Sequence, residues 1–416
     1  MTNNKDIPLS KKLRLFWLIH NERPYKRYYN EPLNHYELTF WHELVAYKNI
    51  FKAALRLPFN KNLNRQQFEG VRKSKMQMIK ESLLWAIKYK EVCSYYFLYG
   101  LDIKGQNPND YMGYTEFRVM RNIINIRQWE NKRTRYTFNY LALVRDKFVF
   151  YQYCKSLKMP CPNTIALVSD GKISYHDEND IKWQNLDSIL NKNFIGFCKE
   201  TKGEAGLGAF SLEVKKATIF IDGVESTLNE LKQRIGDATY IIQERLTNHF
   251  ILKNIYPKSL NTLRLHTMLT PDGDVHFFSA VQRFGANGSV VDNGYAGGMF
   301  VGVNKHGILN DYGCHEPHTG LDQLIIHNEH PNSHKRFGGI QLPFWEEILE
   351  TAKKFHRFMY GIPSIGWDIA IAEDGFYFTE AGEDWEIAFD QAANGPQREL
   401  FYKYHGQALD IKLRKY

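Results

Sequence analysis

Apolar residues recur at helical spacing through the first third of the chain. The spacing is clearest over residues 40–55 and 77–98, where glycine is scarce. Gly100 follows the second segment at the position of a helix C-cap. A third segment, residues 115–128, combines the helical period with basic side chains. The pattern predicts a mainly helical N-terminal region over residues 1–140.

Beyond that region, short apolar runs bounded by turn residues alternate with helical segments. Strands are predicted at residues 194–199, 240–243, 263–269 and 275–283. The last two should form a hairpin, because the sequence PDGD at residues 271–274 is a turn signal. Helices are predicted at residues 146–157, 227–235 and 344–360. We therefore expect an α+β fold with antiparallel hairpins, divided into subdomains at residues 141–250 and 251–416.

A second hairpin sequence near the C-terminus is the most informative feature. Asp368 ends one apolar run, Glu380 ends the next, and Asp374-Gly375 between them is a turn signal. Antiparallel strands joined there would bring both carboxylates into one cleft, where hard oxygen ligands suit Mg²⁺. The alternative is a surface hairpin with scattered acids.

A glycine-rich loop follows the predicted strand that ends at Lys199. Gly203, Gly206 and Gly208 allow tight turns, and the loop N–H groups can hold phosphate oxygens beside the lysine charge. The sequence is not GxxxxGK followed by Ser or Thr, and no helix pattern follows, which excludes a P-loop and a Rossmann turn. A phosphate lid and a flexible hairpin both fit the pattern.

Four further residues indicate a nucleotide site only if the glycine-rich loop lies beside them. Lys147 begins a predicted helix, where an isolated lysine is usually a surface residue. Gln243, Glu244 and Leu246 lead from a strand into a polar linker, where backbone groups and one side chain can hold a purine edge. Taken alone, Gln243, Glu244 and Leu246 form an ordinary strand end.

Two arginines are candidates for stabilising a transferring phosphoryl group. Arg264 alternates with leucines, and with Asn261 and Arg283 it could face one cleft. The alternative is a salt-bridged strand residue. The glycine-bearing loop at residues 290–298 carries polar groups suited to substrate contact.

Charge narrows the class of partner. The 416 residues include 54 Lys and Arg against 46 Asp and Glu, a net charge of +8. This mild excess suits phosphates or an anionic substrate and does not indicate nucleic acid. Part of it lies between Arg118 and Arg135, in a basic segment that fits a solvated helical face, an anionic partner or a membrane surface.

The five cysteines are odd in number and lack a CxxC pair, which indicates reduced thiols in a cytosolic protein. No window approaches the about 18 apolar residues of a membrane span, so no transmembrane helix is expected. The histidines at 315, 318, 327, 330 and 334 fit no zinc spacing and are expected to be solvated loop residues. We expect a cytoplasmic location.

In this order the elements resemble the ATP-grasp superfamily, over roughly residues 140–390. The resemblance implies two α+β subdomains that clasp ATP, with Lys147 and Lys199 at the phosphates and the glycine loop as a lid. It implies an adenine hinge at residues 243–246, and Mg²⁺ held by the two hairpin acids. The strings SLNTLRLHT, VDNGYAGG and PSIGWDIAIAEDG further resemble sugar-transfer-associated ATP-grasp proteins, which are related to alpha-L-glutamate-ligase-like enzymes. That group name implies a link to surface polysaccharides.

One departure from the superfamily concerns the metal site. Many members carry asparagine two residues after the second acid, and this chain has Gly382 there. Asp384 or Glu383 would have to substitute as a ligand. The number of Mg²⁺ ions is therefore open.

The resemblance implies an ADP-forming carboxylate–amine ligase. A carboxylate would be activated as an acylphosphate and joined to an amine, with Arg264 and Arg283 at the transferring phosphoryl group. Alternatives are a phosphotransferase that acts on a hydroxyl and a nucleotide-binding module without turnover. Substrates would be small molecules, glycans or peptides, and peripheral membrane contact is compatible with the sequence. The sequence names neither substrate, nor the oligomeric state, nor the role of residues 1–140.

Overall fold

The computed structural model describes residues 40–59, 68–93, 95–126, 140–176, 182–203, 206, 208–294, 297–315 and 325–413. Part of the predicted basic segment lies outside these residues, as does one histidine: Arg127, Lys132, Arg133, Arg135 and His318. Within the described ranges, no helix is both long enough and apolar enough to cross a bilayer.

Three helices form the described part of the N-terminal region: Phe40–Arg56 (α1), Lys75–Tyr89 (α2) and Tyr114–Ile126 (α3). The prediction that the second helix runs to residue 98 is wrong. Lys90 adopts a left-handed conformation (φ 52°, ψ 35°) and its N–H donates to the Ala86 carbonyl, which ends α2. The apolar spacing beyond it belongs to a turn of buried aromatic residues at positions 95–99, and Gly100 lies in that turn.

The middle of the chain forms a sheet of eight strands. They are Thr164–Ser169 (β1), Lys172–Tyr175 (β2), Trp183–Asn185 (β3), Phe194–Glu200 (β4), Phe210–Lys215 (β5), Thr218–Ile221 (β6), Val224–Ser226 (β7) and Tyr240–Glu244 (β8). The order across this first sheet is β3-β2-β1-β8-β4-β5-β6-β7, and all neighbours are antiparallel.

Two helices precede the first sheet and one covers it: Ala142–Arg145 (α4), Lys147–Ser156 (α5) and Leu228–Ile235 (α6). Helix α6 opens with the predicted capping box between Thr227 and Glu230. Its Leu231 and Ile235 pack on Phe210 and the other apolar side chains of one sheet face. Cys198 lies on that covered face, so its neighbour Lys199 belongs to the opposite face.

The C-terminal part forms a sheet of seven strands. They are Thr262–Leu269 (β9), Val275–Phe284 (β10), Met299–Val303 (β11), Leu309–His315 (β12), Ile325–His327 (β13), Ser364–Ala372 (β14) and Gly375–Gly382 (β15). The order across this second sheet is β13-β12-β11-β10-β9-β14-β15, again antiparallel. Both predicted hairpins, β9–β10 and β14–β15, are confirmed.

Four more helices accompany the second sheet: Phe250–Ile255 (α7), Trp345–Phe358 (α8), Ile387–Asn394 (α9) and Arg398–Leu413 (α10). Helix α8 packs on one sheet face, where Phe355 stacks on Trp367. The other face carries Met268 and Phe300, which share a core with α3 and α9. The α+β architecture is therefore confirmed, and the N-terminal helical region lies against the second sheet. The proposed boundaries near residues 140 and 250 stay a prediction.

Candidate functional site

The register of the second sheet gathers three charged residues in one row. Asp368 on β14 is paired directly with Arg264 on β9 and with Glu380 on β15. Side chains at directly paired positions lie on the same sheet face. The row faces away from the core beneath α8, because the alternate residues Leu263, Leu265 and Trp367 fill that core.

Asp368 is held by two arginines at once. Arg264 donates to both of its oxygens, with Nη2 at 3.0 Å from Oδ2, and Arg283 Nη2 also lies 3.0 Å from Oδ2. Burial raises the pKa of Asp368, but the two guanidinium groups outweigh it and lower the pKa to about 2. This carboxylate is therefore ionised across the physiological range.

Arg283 extends the cluster to a residue that the sequence did not single out. Its Nε donates to the Thr262 hydroxyl at 3.0 Å and lies 3.5 Å from Asp292 Oδ2. Asp292 also accepts the Thr262 N–H and hydroxyl at 2.7 and 2.6 Å. The sequence signal was the polar loop at 290–298, which marked a region without choosing the acid. Asn261, expected to face this cleft, is instead fully buried and donates to α7 carbonyls, because it fastens the turn before β9.

Lys147 joins the two sheets. It opens α5, where the capping carboxylate of Asp146 accepts the next two N–H groups at 2.9 and 3.0 Å. The Lys147 N–H donates to Thr201 at the end of β4, and its Nζ donates to the Gly203 carbonyl. The same Nζ lies 3.2 Å from Glu380 Oε1. One lysine thus contacts both the glycine loop and an acid of the second sheet.

Lys199 lies in the same electrostatic environment. Burial lowers the pKa of its ammonium, the carboxylates of Glu380, Asp368 and Asp292 raise it, and Lys147 lowers it further. The net pKa lies below the ordinary value for lysine. The structure therefore brings the two predicted lysines and the two predicted acids together between the sheets.

The glycine loop connects β4 to β5 as an antiparallel hairpin. Gly206 and Gly208 have positive φ angles of 72° and 74°. A Cβ on Gly206 would meet open space, whereas one on Gly208 would lie 2.8 Å from the Tyr240 hydroxyl. That hydroxyl donates to the Gly208 carbonyl at 3.1 Å. The loop is tethered at Gly203 by Lys147 and at Gly208 by Tyr240, which suits a lid over phosphates.

The predicted adenine hinge lies at the end of β8. Gln243 is buried, and Leu246 is half-buried just beyond the strand. The Glu244 carboxylate accepts from the N–H and the side-chain amide of Asn163 at 2.9 and 3.1 Å. Its side chain therefore fastens the entry to β1, and the hinge role of these residues stays a prediction.

The acids after Glu380 are turned to other partners. Asp384 pairs with Arg121 of α3, and the buried Glu383 pairs with Arg145. At Gly382 a Cβ would meet no atom within 4 Å, so the space that an asparagine would occupy is open. Among the described residues, no group of three or more His, Cys, Asp or Glu could hold a metal ion. The role of Asp384 as a ligand stays a prediction.

The histidines differ from expectation. His330 is fully buried and its Nε2 lies 2.8 Å from the Gly285 carbonyl, and His315 is also buried. Only His334 of these three is exposed, where it pairs with Glu329 at 2.9 Å. The prediction of solvated loop residues is wrong for His315 and His330, because His315 lies on strand β12 and His330 packs against the rings of Tyr256 and Phe284.

Comparison with known proteins decides the family. Residues 127–400 match the family model described as sugar-transfer associated ATP-grasp. The chain belongs to this family. Membership confirms the ATP-grasp fold. No curated protein matches the chain.

Solved structures of ATP-grasp enzymes are similar at low identity. An ADP complex of N5-carboxyaminoimidazole ribonucleotide synthetase is 10% identical, with a TM-score of 0.36, over 61% of this chain and 49% of that one. D-alanine–D-alanine ligase from Bacillus anthracis, complexed with ATP, is 13% identical (TM-score 0.32), over 67% of each chain. D-alanyl-alanine synthetase A from Vibrio cholerae O1 biovar eltor is 9% identical (TM-score 0.38), over 66% of each. The chain spans about half the length of the first of these enzymes.

Proposed function

We propose that this protein is an ATP-dependent, ADP-forming ligase that joins a carboxylate to an amine. The observation that carries the proposal is the contact of Lys147 Nζ with Glu380 Oε1, 3.2 Å apart, beside Lys199 and Asp368. Cationic side chains of α5 and β4 and acids of the second sheet share one cleft. A cleft of this kind suits a triphosphate with its metal.

The proposed reaction has two steps. An oxygen of the substrate carboxylate attacks the γ-phosphorus of ATP, the bond between that phosphorus and the β-phosphate oxygen breaks, and the ADP that forms stays bound. An amine nitrogen then attacks the acyl carbon of the acylphosphate, phosphate leaves with the electrons of the C–O bond, and the nitrogen loses a proton to give the amide. Protein side chains supply mainly position and charge in such a transfer.

The chain's own residues have separate tasks in this proposal. Lys147 and Lys199 bind the α- and β-phosphates, and Lys147 holds the lid through its contact with the Gly203 carbonyl. The closed lid excludes water, which would otherwise hydrolyse the acylphosphate. Arg264, and with it Arg283, stabilises the transferring phosphoryl group.

The residues present also fit Mg²⁺. Glu380 offers a carboxylate that is 39% exposed, with a single lysine at one oxygen, and Asp368 is ionised. Mg²⁺ is commonly held by one or two carboxylates together with substrate phosphates. When bound, the ion would neutralise charge on the β- and γ-phosphate oxygens. Asp384 would join these ligands only after exchanging Arg121 for the metal.

The family description supports a role beside sugar transfer. We infer that the substrates are a small-molecule, glycan or peptide carboxylate and an amine, in surface polysaccharide or peptide modification within the cytoplasm. In this proposal, residues 141–250 carry the lid and hinge, and residues 251–416 carry the metal strands.

A nucleotide-binding module without turnover is the second candidate. Gly382 supplies no side-chain ligand, and both oxygens of Asp368 are engaged by arginines. Both observations reduce the oxygen atoms available to a metal at this site. The module would bind ATP and release no ADP.

An ADP-release screen over pairs of amino acids and sugar acids, with mass detection of the product, tests these candidates. Release that needs both an acid and an amine, with an amide product, supports the ligase. A stable phosphorylated product without amine dependence supports a phosphotransferase instead. Tight ATP binding without ADP release above that of a Glu380→Gln control, for every pair, supports the binding module and contradicts the ligase.

A further inference from the structure

The N-terminal helices expose an unusual share of apolar side chains. Among the described residues, eight of the sixteen large apolar side chains that are exposed lie between residues 44 and 87. We call the exposed sides of α1, of the short turn Leu57–Phe59 that follows it and of α2 the outer helical face. It includes Leu44, Val45, Leu55, Phe59, Met76 and Leu84.

Helix geometry explains why this face points outward. Ile50 and Ala54 of α1 are fully buried against Ala86 of α2. At 100° per residue, positions 45, 48, 52 and 55 lie on the opposite side of α1. The inner side of α2 is also occupied, because Trp85 and Tyr89 enter the core shared with the second sheet. No part of the chain that the structure describes covers these side chains.

Basic residues are interleaved with the apolar ones. Lys48, Lys52 and Arg56 lie exposed on the outer side of α1, and Lys80 lies between Met76 and Leu84 on α2. The α2 acid, Glu81, is turned inward to Lys73 at 2.8 Å and to the Tyr96 hydroxyl at 2.5 Å. Among the described residues of the outer helical face, the charged side chains are therefore cationic, and the exposed Asn49 and Gln77 add uncharged polar groups.

This mixture selects a lipid surface over a protein partner. Lysine is depleted at the centre of protein–protein interfaces, because its charge must be desolvated there. At a bilayer surface the same lysines reach lipid phosphates with their long stems while neighbouring apolar groups enter the acyl boundary. Cationic charge beside exposed apolar groups matches an anionic leaflet.

We propose that the outer helical face docks the protein onto an anionic membrane surface. The apolar side chains enter the headgroup layer, and Lys48, Lys52 and Lys80 contact lipid phosphates. This inference is independent of the proposed ligase reaction, since the face lies on the opposite side of α2 from the core that supports the second sheet.

Co-sedimentation of the full chain with lipid vesicles tests the proposal. Vesicles of phosphatidylcholine and phosphatidylglycerol in equal amounts should bind the protein, and vesicles of phosphatidylcholine alone should not. The variant K48E/K52E/K80E should bind the mixed vesicles more than about tenfold more weakly, since each lysine near an anionic surface contributes attraction. The variant L55S/M76S/L84S tests the apolar contribution and should weaken binding to a similar extent.

Matched controls use exposed residues elsewhere. K172E/K215E/K253E changes charge equally on other surfaces, and V224S/F358S removes exposed apolar groups there. Both should bind vesicles within about twofold of the unmodified protein. Thermal unfolding and ATP binding should be unchanged in all four variants, which separates docking from folding and from the cleft.

Three outcomes would overturn the proposal. The first is vesicle binding that is absent, or equally weakened in the controls. The second is a dimer that the outer-face variants dissociate, since the face would then join two copies of the chain. The third is vesicle binding that appears only after removal of residues 1–39, since the chain itself would then cover the face.

Discussion

The two sheets contribute charge to one cleft in different ways. In the second sheet, Arg264, Asp368 and Glu380 occupy directly paired positions on adjacent strands. Lys199, by contrast, lies on β4 of the first sheet, and Lys147 opens α5, where its N–H donates to the Thr201 carbonyl just after β4. Direct pairing between neighbouring strands fixes Arg264, Asp368 and Glu380 relative to one another, whereas the two lysines belong to a strand and a helix that are not paired with each other.

The chemistry of the side chains follows the same division. An arginine fork binds a carboxylate through two fixed bonds, as Arg264 does with Asp368. A lysine is a flexible point charge that can follow a phosphate. We call Asp368 and Glu380 with Arg264 and Arg283 the acidic wall, and Lys147 and Lys199 with the glycine loop the basic wall. The difference indicates that the acidic wall is formed before ligand binds and that the basic wall adapts to the ligand.

Replacing Asp368 by asparagine tests whether the acidic wall is held by charge. The change leaves Arg264 and Arg283 without their shared carboxylate, so we expect the free energy of unfolding to fall by about 3 kcal/mol. The pKa of Asp368 is lowered from 3.8 to about 2 in the folded protein. Its stabilising contribution is therefore present above pH 3.8 and is lost as the pH falls toward 2. Urea unfolding at neutral pH and through this window measures both effects.

The matched control for that experiment is Asp187→Asn. Asp187 pairs with Lys232 at 2.7 Å, but both side chains are largely exposed. We expect the control to lose less than about 1 kcal/mol. An equal decrease of the free energy of unfolding in the two variants would contradict the hypothesis that charge holds the acidic wall. So would an unaltered pH dependence of stability in Asp368→Asn.

Replacing Glu380 by glutamine separates catalysis from nucleotide binding. The Glu380 carboxylate is a candidate metal ligand, so ADP release should fall by about 100-fold. ATP affinity measured without metal should not fall, because the carboxylate that competes for Lys147 is gone. Enzyme assay and equilibrium titration check the two quantities, with the exposed Glu225→Gln as control. Equal loss of both would remove Glu380 from the metal site.

Replacing Lys199 by alanine probes the basic wall. A charge-assisted bond to phosphate is lost, so ATP should bind about tenfold more weakly. Lys215→Ala, an exposed lysine on the neighbouring strand β5, should bind ATP normally. Because the pKa of Lys199 is lowered by burial, its contribution to ATP affinity should decline with rising pH earlier than that of an ordinary lysine. Unchanged affinity in Lys199→Ala would place this residue outside the phosphate site.

The acidic wall was the more predictable of the two from sequence. The Asp374-Gly375 turn predicts the hairpin and sets the pairing as far as Ile369 with Phe378, which alone would place Asp368 opposite Thr379; a β-bulge at that point moves Asp368 into register with Glu380. Alternation with leucines placed Arg264 on the opposite face to the core. Local rules therefore predicted the hairpin and the face of Arg264, whereas the bulge that brings Glu380 opposite Asp368 has no signal in the turn or the strand period.

Contacts between distant segments were not predictable. Asp292 reaches Arg283 from a loop whose path no local pattern defines. Asp384 pairs with Arg121 because α3, far away in sequence, packs against the loop after β15. Glu244 binds Asn163 through the pairing of β8 with β1, which is also a tertiary choice. Such partners depend on packing that the residue types alone do not encode.

The smallest expected effect distinguishes two glycines of the lid. Both Gly206 and Gly208 have positive φ, so alanine is strained at either position. Only at Gly208 would the added methyl also press on the Tyr240 hydroxyl, 2.8 Å away. We expect ATP affinity to fall by about fivefold in Gly208→Ala and by about twofold in Gly206→Ala. Adding Tyr240→Phe to Gly208→Ala should recover part of the loss, because the clash is removed. Identical affinities for the two alanine variants would show that the lid closes without its contact to Tyr240. The contact of Lys147 with Gly203 would then be the tether that positions the lid.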